Sequence, residues 1–221
     1  MSSFGNDTAQ RSELAYNFAA LNVGIWNTVL YVNLVLPVAA WHEVRKSEPV
    51  WNLDKKAWLW QKEFNQASGT YVASLYGWID GNQSKWEMYV THEGVYTDFL
   101  WYEGEALLSA ESGSWRLNHN PNNNTRYIDI EWENDVDGEY DNIKFINAIP
   151  GQAAKGSYIH YGREEGSELE IFYDIFGQEE NRLIEIDYDE VSTSGRVKDN
   201  VFFGDEQWHC WNDVHQDIDC E

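Results

Sequence analysis

With 221 residues and 43% apolar composition, the chain can bury one substantial core and is short for two ordinary domains, so residues 1–221 read as a single domain. Its 38 acidic against 15 basic residues, a formal charge of -23, repel phosphate backbones and exclude nucleic acid as a natural partner. Such charge on an apolar-poor chain would mean disorder, but 12 Trp, 13 Tyr and 9 Phe supply ample surface to bury.

The first element is the segment AYNFAALNVGIWNTVLYVNLVLPVAAW at 15–41, which carries no charge. Its length would cross a bilayer. Against a span, Asn17, Asn22, Asn27, Thr28 and Asn33 recur along it and Pro37 interrupts it, and five polar side chains in lipid would each need a partner. VAAW at 38–41 mimics a signal-peptide cleavage site, but the preceding flank is only weakly basic and the apolar stretch is overlong for a signal core. Residues 12–46 therefore read as one kinked helix, or two, mostly buried by the rest of the domain, with Ser12 and Glu13 at the start and EVRK at the exit.

From residue 50 to 221 the pattern alternates. Eleven short runs, among them AWLWQKEF, TYVASLYGWI, KWEMYVTH, RYIDIEWE, ELEIFYDIF and RLIEIDYDE, are rich in aromatic and β-branched residues. Turn signals divide them: DGNQ at 80–83, EG at 93–94 and 103–104, NPNNN at 120–124, VDGE at 136–139, GREEGS at 162–167 and STSG at 192–195. In RYIDIEWE, Asp129, Glu131 and Glu133 alternate with Ile128, Ile130 and Trp132, which gives one wet acidic face and one apolar face. The fold class is mainly β with an N-terminal helix (α+β). An antiparallel meander forms an open or closed β-barrel, calycin-like or half-barrel, with the helix against its concave face. The alternative is a two-layer sandwich with the helix outside.

Both cysteines lie in WHCWNDVHQDIDC. Cys210 and Cys220, with nine residues between them near the end of the chain, suit a disulfide that pins the tail to the strand carrying Trp208 and Trp211, and hence an oxidising compartment. His209, Cys210, His215 and Cys220 form an alternative metal set, although they lack the paired spacing that puts two zinc ligands on one turn. Asp135, Asp137, Glu139 and Asp141 around Gly138 make an oxygen-rich turn of the kind that holds Ca²⁺, but an Asp-Gly hairpin accounts for the same residues. No other cofactor is expected.

Three acid pairs, Glu131 with Glu133, Glu168 with Glu170 and Glu185 with Asp187, each sit roughly 7 Å apart along a strand, the separation used by glycoside hydrolases. With 38 acids such pairs arise by chance, and solvation is their usual role. Trp58, Trp60, Trp86 and Trp101 are candidates to line a ligand site or to stack on sugar rings, against the plainer reading that they are core.

The stretches GSYIHYG at 156–162 and SGRVKDNVFFGDEQWHCWN at 194–212, with AWLWQKEF, WEMYVTHEGVYTDFLWYEGE and SGSWRLNHNP, resemble a family of uncharacterised exported proteins and lipoproteins of Bacteroidetes-type bacteria. The resemblance implies a periplasmic or cell-surface location and brings no catalytic residues with it. The chain begins at MSSFG without a lipobox cysteine, which departs from the anchored, exported pattern.

The expected function is a non-catalytic envelope binding or interaction protein, its partner an apolar small molecule held in the β-structure, or another envelope protein. The alternatives are carbohydrate recognition by exposed Trp and acidic side chains, and a hydrolase or lyase built on paired strand carboxylates.

Overall fold

Residues Leu14–Val44 form one continuous helix, α1, with Pro37 inside it. The structure, a computed structural model, describes residues 12–134, 141–164 and 166–220. The uncharged run makes its polar side chains compatible with a helix by bonding them back one turn. Asn22 Nδ2 donates to the Phe18 carbonyl at 2.8 Å, Thr28 Oγ1 to Gly24 at 2.9 Å and Asn33 Nδ2 to Val29 at 2.7 Å.

Among the described residues fourteen antiparallel strands follow: β1 (Val50–Asn52), β2 (Ala57–Gln66), β3 (Gly69–Asp80), β4 (Gln83–His92), β5 (Tyr96–Leu107), β6 (Ser112–Asn120) and β7 (Asn123–Asn134). Then come β8 (Asp141–Asn147), β9 (Tyr158–Arg163), β10 (Ile171–Gly177), β11 (Arg182–Tyr188), β12 (Gly195–Lys198), a single-turn helix α2 (Asn200–Phe203), β13 (His209–Trp211) and β14 (Asp217–Ile218). Each strand pairs with its neighbours in sequence, β1 to β14 in order, in one sheet. The sheet is not closed: among the described residues β1 and β14 have no ladder between them, so of the two expected forms the open one is found. A single sheet also replaces the sandwich alternative.

The register puts one apolar row after another on the same face. Leu75 lies opposite Met88, Met88 opposite Tyr102, Tyr102 opposite Leu117 and Leu117 opposite Ile128. Farther along, Phe145 faces Ile159, Ile159 faces Ile175 and Ile186 faces Val197. This inner face carries α1. Ala40 and Val44 join Phe64, Tyr71, Met88 and Leu117 in one core cluster, whereas Ala15 and Ala19 join Ile159, Ile175, Ile186, Val197 and Trp211 in a second. Phe145 touches both.

The helix thus contacts β2 and β3 near one edge of the sheet and β12 to β14 at the other. From Ala19 to Ala40 it spans about 32 Å. Nine strand spacings, from β3 to β12, make about 43 Å. An arc longer than its chord means that the sheet bows around the helix.

Glycines let the inner face carry large rings. Gly77, Gly104, Gly113 and Gly195 lie opposite Trp86, Trp115, Trp132 and Trp211 on the adjoining strands. A Cβ would meet the ring at 2.6 Å at Gly77 and at 2.3 Å at Gly104, so the indoles lie directly on the neighbouring backbone. This corrects the reading of EG at 103–104 as a turn: Gly104 sits inside β5, beneath Trp115.

Candidate ligand-binding site

The site is built from the way α1 is held. At its start Glu13 provides no side-chain cap. The Asp217 carboxylate from β14 takes that role, accepting from the Leu14 N–H at 3.1 Å and the Ala15 N–H at 3.0 Å, while the Asp217 N–H donates to the Ser12 carbonyl at 2.7 Å. His215 stacks on Tyr16 with ring centroids 3.7 Å apart, and Trp211 meets the same ring edge-on at 6.0 Å. Cys210 and Cys220 are at disulfide distance, Sγ–Sγ 2.10 Å with Cα atoms 5.3 Å apart, and tie the segment carrying Asp217 to β13. Such a pair fits an oxidising, extracytoplasmic environment.

At its other end α1 is held by packing. Ala40 and Val44 are fully buried, and Trp41 meets Trp86 and Trp115 edge-on at 6.2 and 5.8 Å.

Between these ends no helix residue from 20 to 36 is buried. Leu30 and Leu34 reach inward but are only half-buried. Three cavities flank this middle segment. One of about 290 Å³ lies among Leu34, Pro37, Val38, Trp41, Tyr102, Trp115, Leu117 and Ile130. A second, of about 570 Å³, is bounded by Leu30, Leu34, Val38, Phe145 and Tyr161, with Asn27, His42, Glu43 and Gln66 at its polar parts. The third, about 280 Å³, lies among Trp26, Leu30, Asn33, Tyr127, Phe145 and Ile159. Leu34 and Val38 wall both the first and the second, and Leu30 and Phe145 both the second and the third. The space is therefore one apolar zone partitioned by a stripe of helix side chains at i, i+4 and i+8, in the size range of small-molecule sites.

Polar side chains are fewer than apolar ones along this zone. Tyr127 donates to Asn33 Oδ1 at 2.6 Å and stacks on His119 at 4.5 Å. Burial raises the Tyr127 hydroxyl above its ordinary pKa and raises that of Tyr102, which lines the first cavity, much further. Both stay protonated at neutral pH, and neither serves as a base.

Of the tryptophans singled out in sequence, Trp60 and Trp86 come together, 5.6 Å apart, beside Trp41. Trp58 is 47% exposed next to Trp51 at 5.4 Å, and Trp101 packs on Phe99 at 5.3 Å. The indoles that line the apolar zone are Trp26, Trp41 and Trp115, which alternation alone did not single out.

The carboxylates belong to the opposite face. Glu131 lies across from Lys144, Glu185 pairs with Lys198 at 2.5 Å and Asp187 with Arg196 at 2.7 Å. Glu170 bonds Arg163 at 2.6 Å, Glu133 faces Asn142 across the ladder, and Glu168 lies in the β9–β10 connection. Burial nevertheless raises the Asp187 pKa, outweighing the Arg196 guanidinium beside it. None of these acids lines the three cavities.

The alternative metal set does not assemble. His209 stacks on Phe203 at 3.8 Å and reaches Asp205 at 3.1 Å, His215 reaches Thr193 at 3.1 Å, and the two sulfurs face each other. Among the described residues no three His, Cys, Asp or Glu side chains converge as metal ligands. Asp135, Asp137 and Glu139, and the side chain of Asp141, lie outside the described residues.

By length and composition α1 is also apolar enough to cross a membrane. Compared with known proteins, the chain matches no family model, no curated protein and no solved structure.

Proposed function

We propose that the protein is a non-catalytic binding protein of the cell envelope that holds an apolar molecule between α1 and the inner face of its sheet. The observation that carries this reading is the contrast along the helix. It is fastened at both ends, yet no residue from 20 to 36 is buried, and apolar cavities of about 290, 570 and 280 Å³ lie beside that segment. A helix serving only as core filling would bury a continuous stripe. A periplasmic or cell-surface location belongs to the same reading, supported by the cysteine pair and by the resemblance of the WHCW region to exported proteins.

The test is titration with the neutral fluorophore N-phenylnaphthylamine, read by energy transfer from tryptophan, since Trp41 and Trp115 line the zone. Saturable one-to-one binding that weakens about tenfold or more in Leu34→Trp, which fills the shared wall, is the expected result. No saturable binding, or binding indifferent to Leu34→Trp, would sink the reading.

A further inference from the structure

We infer that the hairpin of β13 and β14 is a thiol-releasable latch on the N-terminal end of α1, and that its reduction loosens the helix over the ligand zone. The link to ligand rests on the function proposed above; the latch itself does not.

Three observations meet at this hairpin. Glu13 gives the first turn of α1 no side-chain cap; the Leu14 N–H is shared between Ser12 Oγ at 3.2 Å and Asp217, 203 residues away, and the Ala15 N–H goes to Asp217. The ladder that carries Asp217 is only two residues long on β14, pairing Cys210 with Ile218 and Trp211 with Asp217, too short to be stable by itself. Hydrogen bonds at Asn212 close the turn, and the bond between Cys210 and Cys220 ties the strand beyond it; Cys220 is exposed, so a thiolate can reach its sulfur. The cap, the Tyr16–His215 stack and the Asp217 N–H to Ser12 bond all lie between the two cysteines or on residues they position.

The chemistry is thiol–disulfide exchange with a dithiol reductant. Its thiolate attacks Sγ of Cys220, the S–S bond breaks, and Cys210 leaves as a thiolate that takes up a proton. The second thiol of the reductant then attacks the mixed disulfide and frees Cys220. Two electrons pass to the cystine, and the reductant departs as its own disulfide. The freed segment no longer holds Asp217 at Leu14 and Ala15. The other end of α1, buried through Ala40 and Val44, contains no such bond. Release is therefore directional: the first turn is left with the apolar packing of Ala15, Phe18 and Ala19 alone, and its loosening reaches the stripe of Leu30, Leu34 and Val38 that partitions the cavities before it reaches the other end.

The experiment is amide hydrogen exchange on the intact chain, oxidised and then reduced with dithiothreitol, alongside the dissociation rate of bound N-phenylnaphthylamine. Reduction is expected to speed exchange over residues 14–19 by about tenfold while leaving residues 40–44 unchanged, and Asp217→Ala with the disulfide intact should reproduce that pattern. Equal acceleration at both ends would overturn the latch and leave the disulfide as a general stabiliser. So would no acceleration over 14–19. Acceleration confined to 14–19 without faster probe release would keep the latch and overturn its link to the ligand, whereas absence of probe binding in the oxidised protein strikes the proposed function and not the latch.

Discussion

The two ends of α1 meet the same sheet by different means. At Ala40 and Val44 the attachment is apolar packing with no directional partner, and it is continuous with the larger core cluster. At the other end Ala15 and Ala19 are packed as well, and to that packing the last strands add a carboxylate at Leu14 and Ala15, a ring stack and a covalent bridge. Packing is insensitive to redox state, whereas a cap held by a disulfide responds to it. A helix fastened in these two ways has one end held by packing alone and one whose packing is reinforced by a conditional fastening.

The comparison sharpens under mutation. The largest effect is expected at the packed end, where Met88→Ala removes a fully buried side chain and should cost about 3 kcal/mol in urea unfolding, with both ends of α1 lost together. Cys210→Ser with Cys220→Ser should cost about 2 to 3 kcal/mol for so short a closed loop. A loss as large as that of Met88→Ala, with equal exposure of residues 40–44, would erase the distinction between the ends. Asp217→Ala should cost about 1 kcal/mol, visible chiefly as fraying of the first turn by hydrogen exchange.

The smallest effect is in acid. Asp189 and Asp205 are held below the usual carboxylate range by backbone N–H donors from Ser192 and Gln207, and Glu43 by its hydrogen bond to Lys46. A lowered carboxylate contributes stability above its unfolded pKa and loses it as pH falls through the folded value. Asp187 has the opposite sign: its raised pKa contributes below the ordinary value of 3.8, and that contribution is lost as pH rises through the folded value. Asp187→Asn should therefore steepen acid unfolding, as followed by tryptophan fluorescence from pH 6 downward; an unchanged or shallower profile would contradict this sign.

How much of this was legible depended on whether the signal was local. The alternation in RYIDIEWE and LIEIDYDE foretold an acidic face opposite an apolar one, and the uncharged run foretold a helix at 12–46, found as Leu14–Val44. Strands β1, β12 and β14, of three, four and two residues, are too short for periodicity to register. Gly104 was misread because its role comes from register: the residue that needs its missing side chain is Trp115, on another strand. The Asp217 cap was invisible for the same reason, as was the buried Asp199, which caps α2 through the Val201 N–H and binds the Arg182 guanidinium. The candidate site was legible only as a class of residue. Alternation put tryptophans on the inner face but did not say which would meet the helix, because that depends on where α1 crosses.

The strand order β1 to β14 sets the order in which the molecule can assemble. Every ladder closes between neighbours in sequence, so as the chain emerges each hairpin can zip onto the one before with little loop entropy to overcome. The first turn of α1 is the exception: it precedes every described strand and receives Asp217 from β14, at a separation of 203 residues. Until that strand arrives, an uncharged segment of 27 residues waits beside a growing sheet with one end free. The first turn of α1, which precedes the sheet, is thus completed only once the last of these ladders has formed, and the disulfide between Cys210 and Cys220 locks that step.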